Sequence, residues 1–326
     1  AFLMASSSIA AALGVTIGGV LTHLINWRWV MFVNAPIGVA LIALVAISLR
    51  ARRGDGPKPR LDIPGAVAIT LALTALTSGV TQAPTLGWTS MTVLGSLCAA
   101  AVFLIAFIAI ERMAEKPLIR LGIFGLRQVA FGNLMLLCVG GVLTTSIFLL
   151  ALTLQRVAGY DALQAGLAMF PMTISIAVAS IFGRRLGDSF THAPLAGALM
   201  AAGGLVWLSF FPAHPDFLVD LVAPNALLGL GAGLMIATAI NAALDGVPSG
   251  DAGLASGLLN TSRQIGGALG VAIGAGVAHL ISAGWGGEAA LAELAGYRAG
   301  FLAAAAMAIV AGLASLALSR GGSGAT

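Results

Sequence analysis

Residues 34–53 read NAPIGVALIALVAISLRARR, an apolar run that stops abruptly on Arg50, Arg52 and Arg53. Extended back to Trp29, the run holds no charge through Leu49. As an α-helix rising about 1.5 Å per residue, it is long enough to cross a hydrocarbon core of about 30 Å. In lipid every backbone amide must find its partner inside the segment, so a helix is the form such a run takes. The arginines that follow mark the end held on the cytoplasmic side.

Runs of the same kind recur along the chain. Ten spanning helices are expected, at about 2–22, 29–49, 63–82, 90–110, 129–153, 162–182, 193–211, 218–242, 253–280 and 299–318. Composition agrees: 59% of residues are hydrophobic and 9% charged, with a mean hydropathy of +1.02. A water-soluble domain dresses its surface with roughly a quarter charged residues, so solubility is excluded. Strands of a membrane barrel would alternate polar and apolar residues over about ten positions, and no such alternation is found. The fold class expected is therefore an all-α membrane protein. The chain opens inside an apolar run with no charged leader before it, so that run is not a signal peptide, and the expectation is that further helices precede it.

Lysines and arginines set the orientation. Twelve of the sixteen fall after even-numbered helices: Arg50, Arg52, Arg53, Lys58 and Arg60; Arg112, Lys116, Arg120 and Arg127; Arg184 and Arg185; and Arg320. Arg28, Arg156 and Arg298 fall on the other side, and Arg263 lies within a helix. This asymmetry places the even-numbered loops and both ends of the chain in the cytoplasm. Because the net charge of +4 is spent on topology, it does not point to nucleic acid.

Several constellations carry no chemistry of their own. Cys98 and Cys138 have no CxxC or histidine partner, and the four histidines are scattered, so neither a metal site nor a catalytic cluster is expected. Gly229-Leu230-Gly231-Ala232-Gly233 lies in mid-helix with no strand before it, so it is not a phosphate loop. No cofactor and no enzymatic activity is expected.

Polar residues inside spanners are few and therefore informative. Asn34, Asn133, Gln155, Asn225, Asn241, Asn260 and Gln264 are candidates for a cavity wall or for bonds between helices, and Arg263 is the cation among them. Asn260, Arg263 and Gln264 are three and four apart and so share a helix face. The twelve acids fall in loops or at helix ends, whereas proton coupling needs a carboxylate in a low-dielectric interior.

Two motifs carry a resemblance. The first is the glycine stripe Gly14, Gly18 and Gly19, followed by Trp27-Arg28-Trp29 and then Asn34-Ala35-Pro36-Ile37-Gly38. The second is residues 253–270, GLASGLLNTSRQIGGALG. Together they resemble the fifth, sixth and penultimate helices of the fourteen-helix drug:proton antiporters of the major facilitator superfamily. There the glycine stripe is the antiporter motif; here Val15 replaces its usual proline. Gly183, Arg184, Arg185 and Asp188 are similar to a worn copy of the superfamily's cytoplasmic gating loop.

The resemblance implies helices five to fourteen of fourteen: residues 1–49 closing the N-terminal bundle, 50–128 a linker with two extra helices, 129–320 a six-helix C-terminal bundle, and 321–326 a tail. It implies exchange of lipophilic, often cationic drugs or antibiotics for protons across the bacterial cytoplasmic membrane, with the coupling acid in the missing N-terminal helices. A metabolite exporter without multidrug specificity and an inactive partial transporter stay open as alternatives, and use of a periplasmic adaptor is unknown. Cysteines placed singly at 50–60 and at 83–88 are expected to react with impermeant maleimide from opposite faces of the membrane; labelling from one face would break the helix count.

Overall fold

The computed structural model describes residues 14, 17–22, 24–48, 62–114, 121–186, 192–212, 215–244, 247, 251–285 and 288–319. Among these, regular structure is helical throughout, and eight helices are long and apolar enough to cross a membrane, with Ala193–Leu208 as a shorter apolar ninth. The first expected spanner falls largely outside the described residues, although Gly14 and residues 17–22 are helical. The linker at 50–60 and the tail at 321–326 also lie outside them. The protein is an all-α, multi-pass membrane protein.

The helices are α1 (Trp27–Phe32), α2 (Asn34–Ser48), α3 (Ile63–Leu86), α4 (Met91–Met113), α5 (Arg127–Leu152), α6 (Ala162–Ala168), α7 (Phe170–Leu186), α8 (Ala193–Leu208), α9 (Ala223–Leu244), α10 (Ala252–Ala283) and α11 (Ala289–Ser319). Local chemistry sets several ends. Asp62 and Ser90 accept from the backbone of Gly65 and Val93, capping α3 and α4. Asp161 and Gln164 form a reciprocal capping box at the start of α6. Gly87, at φ +84°, ends α3, a turn that favours glycine.

Some boundaries differ from the sequence reading, each for a physical reason. Pro84, read as a break, lies inside α3, which runs on to Leu86. The expected helix 162–182 is divided at Met169, just before Pro171. The expected helix 299–318 begins ten residues earlier, at Ala289, because Glu293 and Arg298 are held within it rather than in a loop. Wide π-turns extend α5 through Thr153–Val157 and precede α9 at Phe217–Val222.

Helices α5 and α7–α11 pack on one another around a core that includes Leu149, Leu154, Leu205, Phe211, Leu228 and Phe301, each at most 1% exposed. The closest seam is α5 against α10. A Cβ on Gly266 would overlap the Leu137 carbonyl, one on Gly140 the Arg263 carbonyl, and one on Gly270 the backbone of Gly141. Such contact between helix backbones is what small residues permit in membranes. Helix α9 is held from two sides: Gly229 and Gly233 lie against the Met172 and Ile176 carbonyls of α7, and Gly231 against Gly197 and Ala201 of α8. The mid-helix glycines are therefore a two-faced packing surface.

Polar links close the end of the bundle that holds Phe211 and Arg156. Arg298 donates from Nε and Nη2 to the Phe211 carbonyl at 3.2 and 2.6 Å, satisfying an acceptor just past α8. Arg156 meets Glu293 at 3.5 Å, and Tyr297 donates to Glu293 at 3.2 Å. With Arg156 60% and Glu293 39% exposed, that ion pair is worth at most about 1 kcal/mol.

Helices α3 and α4 pair with each other, and α3 leans on α10, where Pro84 stands 3.7 Å from the position a Cβ would take on Gly276. By contrast, α1 and α2 contact mainly each other. Their apolar side chains are open, Ile42 and Ile47 at 72% and 81% exposure.

Replacing Gly266 with Val is expected to cost more than the ~1–3 kcal/mol of ordinary overpacking, because its clash is with backbone. Gly257→Ala, where a Cβ meets nothing within 4 Å, is expected to be neutral. Melting temperature and membrane yield of the two variants check this.

Candidate functional site

A cavity of about 550 Å³ lies among α5, α7, α9 and α10. Its walls are mainly apolar: Leu136, Leu143 and Ile147 from α5, Met172 and Ile176 from α7, Ile236 and Ile240 from α9, and Leu259 from α10. Thr144, Thr173, Ser180, Ser256, Asn260 and Arg263 supply the polar positions. A largely apolar space of this size with a few placed polar groups is the form that small-molecule sites take.

The seam between α5 and α10 sets the position of the charge. Gly140 lies against the Arg263 backbone, so α10 is fixed in register at that residue and its side chain turns to the cavity. Arg263 stands roughly 16 Å along α10 from Ala252, at about 1.5 Å per residue. Its Nη2 donates to Asn260 Oδ1 at 3.2 Å, one helical turn earlier. The hydroxyls are mostly occupied. Thr173 donates to Phe170 O at 2.9 Å, Ser180 to Gly233 O at 3.3 Å, and Ser256 to Ala252 O at 2.9 Å.

Of the polar residues singled out in the sequence, the structure brings Asn260 and Arg263 to the cavity wall. Gln264, one position on, is rotated about 100° around the helix axis; it is exposed and off the wall. Asn133 is 6% exposed and joins helices: its Nδ2 donates to Val129 O at 2.8 Å, and its Oδ1 accepts from Ser262 Oγ at 2.8 Å. Asn225 is fully buried and bonds the Leu221 carbonyl of the preceding wide turn at 2.8 Å. Asn34 is exposed and bonded to Val30 O at 3.0 Å, while Gln155 and Asn241 are exposed away from the cavity.

Of the glycine stripe, Gly19 makes the close contact: a Cβ there would stand 3.0 Å from the Ala162 carbonyl at the start of α6. Gly18 has Val30 3.9 Å away, and Gly14 has nothing within 4 Å. Gly183 packs on Leu234 and Ala237 of α9. Arg184 and Arg185 belong to the α7 backbone, but their side chains, and Asp188 altogether, lie outside the described residues. One acid differs from its sequence reading in burial: Glu111, near the end of α4, is only 4% exposed.

Sequence reading missed the hydroxyl positions Thr144, Thr173, Ser180 and Ser256. The run Thr144-Thr145-Ser146 in the middle of a spanner was the available signal. Among the described residues, no group of three or more histidine, cysteine or acidic side chains is placed to hold a metal ion.

The chain is thus a membrane bundle of apolar helices with glycine seams and a cavity among four of them. Residues 1–271 match the Major Facilitator Superfamily, and the chain belongs to that family. It is 38% identical over 273 residues to a cephamycin export protein of Amycolatopsis lactamdurans, covering 81% of this chain and 56% of that protein. A puromycin resistance protein of Streptomyces alboniger is 34% identical over 276 residues, covering 82% and 54%. A lincomycin resistance protein of Streptomyces lincolnensis is 33% identical over 275 residues, covering 83% and 56%. The chain spans about half the length of these curated relatives.

Asn133→Ala is expected to lower stability by about 0.5–2 kcal/mol, the range for hydrogen bonds between membrane helices. Affinity for a cavity-bound dye should not change, since Asn133 faces Ser262 rather than the cavity. Thermal unfolding and dye titration in detergent separate the two effects.

Proposed function

We propose that this chain is the C-terminal ten-helix portion of a proton-coupled exporter of lipophilic small molecules in the bacterial cytoplasmic membrane. The observation that carries the reading is the 550 Å³ apolar cavity with Arg263 and Asn260 on its wall. Its α9 and α10 residues lie toward the helix ends that the alternation of spans assigns to the cytoplasm, where an exporter loads, and its α5 residues lie in mid-helix. The named relatives support the substrate class, being an export protein for cephamycin and resistance proteins for puromycin and lincomycin.

In this reading residues 1–49 close an N-terminal bundle, 50–128 are a cytoplasmic linker with two added helices, 129–320 are the C-terminal bundle, and 321–326 are a cytoplasmic tail. The open faces of α1 and α2 fit such an arrangement, because the remainder of that bundle would cover them. Gly14, Gly18 and Gly19 form the seam between bundles, with Gly19 already seated against α6. Gly183, Arg184, Arg185 and Asp188 form the cytoplasmic gating loop. Access then alternates by rocking of the two bundles about the cavity. Asn260 and Arg263 contact the substrate, and Gln264, Gln155, Asn241 and Asn34 face the complementary half or its gates. The coupling carboxylate belongs to the helices preceding this chain.

The test is dye efflux by the full-length protein in a host lacking its own pumps. Export that stops when an uncoupler collapses the proton gradient is the expected result. Export that persists at full rate without the gradient would replace coupling with facilitated movement.

A further inference from the structure

The polar groups on the cavity wall are unequal in what they still offer a guest. Thr173, Ser180 and Ser256 have each spent their hydroxyl proton on a backbone carbonyl, so they present lone pairs. Asn260 Oδ1 accepts from Arg263, which leaves the Asn260 amide N–H groups and the remaining guanidinium N–H groups as donors. Asn260 and Arg263 are three residues apart on one helix face, so their donors converge. None of the fourteen lining residues is aspartate or glutamate. The charge on this wall is therefore positive, set beside apolar side chains.

Resting on the export reading above, we infer that the transported species is an amphipathic anion. Its apolar body is taken by the walls from α5, α7 and α9, and its carboxylate or comparable oxyanion by Arg263 and Asn260. A guanidinium suits this role because it offers two parallel N–H groups to a planar carboxylate. A lipophilic cation entering the same space meets no counter-charge on this wall and a like charge at its centre.

The experiment uses the full-length protein in a pump-deficient host and three fluorescent probes: anionic carboxyfluorescein, neutral Nile red and cationic ethidium. Carboxyfluorescein is expected to be exported fastest relative to its passive leak. In Arg263→Gln, the ratio of carboxyfluorescein to Nile red export is expected to fall about tenfold, equivalent to losing one charge-assisted contact. Arg263→Lys, which keeps the charge, is expected to hold most of that ratio. Membrane levels and melting temperatures of the variants are measured alongside, so that misfolding is not read as selectivity. Export of ethidium with carboxyfluorescein retained overturns the anion inference and leaves the exporter reading standing. Equal slowing of all probes in well-folded Arg263→Gln also overturns it, making the arginine a gating or structural residue. Export of none of the three by the wild-type protein overturns the exporter reading, and this inference with it.

Discussion

Everything in the C-terminal helices depends on how closely α5 and α10 approach. Two helices separated by ordinary side chains stand about 8–10 Å apart; here glycine on both sides brings backbone to backbone. The contact has three consequences. It fixes the register of α10, so that Asn260 and Arg263 face one way and Ser262 meets Asn133. It removes side-chain bulk from the seam, so dispersion between main chains does the holding where lipid offers no hydrophobic drive. It also leaves room between α5, α7 and α9 for an empty space of about 550 Å³.

The same economy governs the polar groups. With no water in the hydrocarbon, hydroxyls turn back onto their own helices, as Ser146, Thr153 and Thr238 do toward the carbonyls of Val142, Leu149 and Leu234. Longer side chains reach between elements: Asn133 to Ser262 within the bundle, and Arg298 to the Phe211 carbonyl at its rim. Charge is admitted where it has something to do. At the rim near Phe211 it ties helix ends, and at Arg263 it meets the cavity.

Much of this was legible from residues alone. Apolar length and the arginines at 50–53 fixed a helical membrane protein, and the glycine-rich run at 253–270 marked α10 as a crossing helix. The pairing of Asn260 with Arg263 follows from their spacing of three. What stayed hidden depends on neighbours that period cannot supply. Asn133 and Asn260 are the same residue type in similar helices, yet one meets Ser262 and the other a cavity. Gln264 belongs by spacing to the face of Asn260, but the cavity is narrower than that face. Pro84 reads as a break in sequence, yet it lies two residues before the end of a hydrophobic helix leaning on α10, and membrane helices tolerate such prolines.

Wide turns stand after α5 and before α9. In Thr153–Val157 the turn closes from Ala158 N to Thr153 O, five residues back. Each such turn holds one residue more than an α-turn, and that extra residue offsets everything beyond it by about 100° of azimuth. Arg156 therefore points where an unbroken count from Arg127 would not send it, toward Glu293 of α11. This rim is indexed separately from the rods it crowns. Connections there can change without altering the phase of the rods beneath.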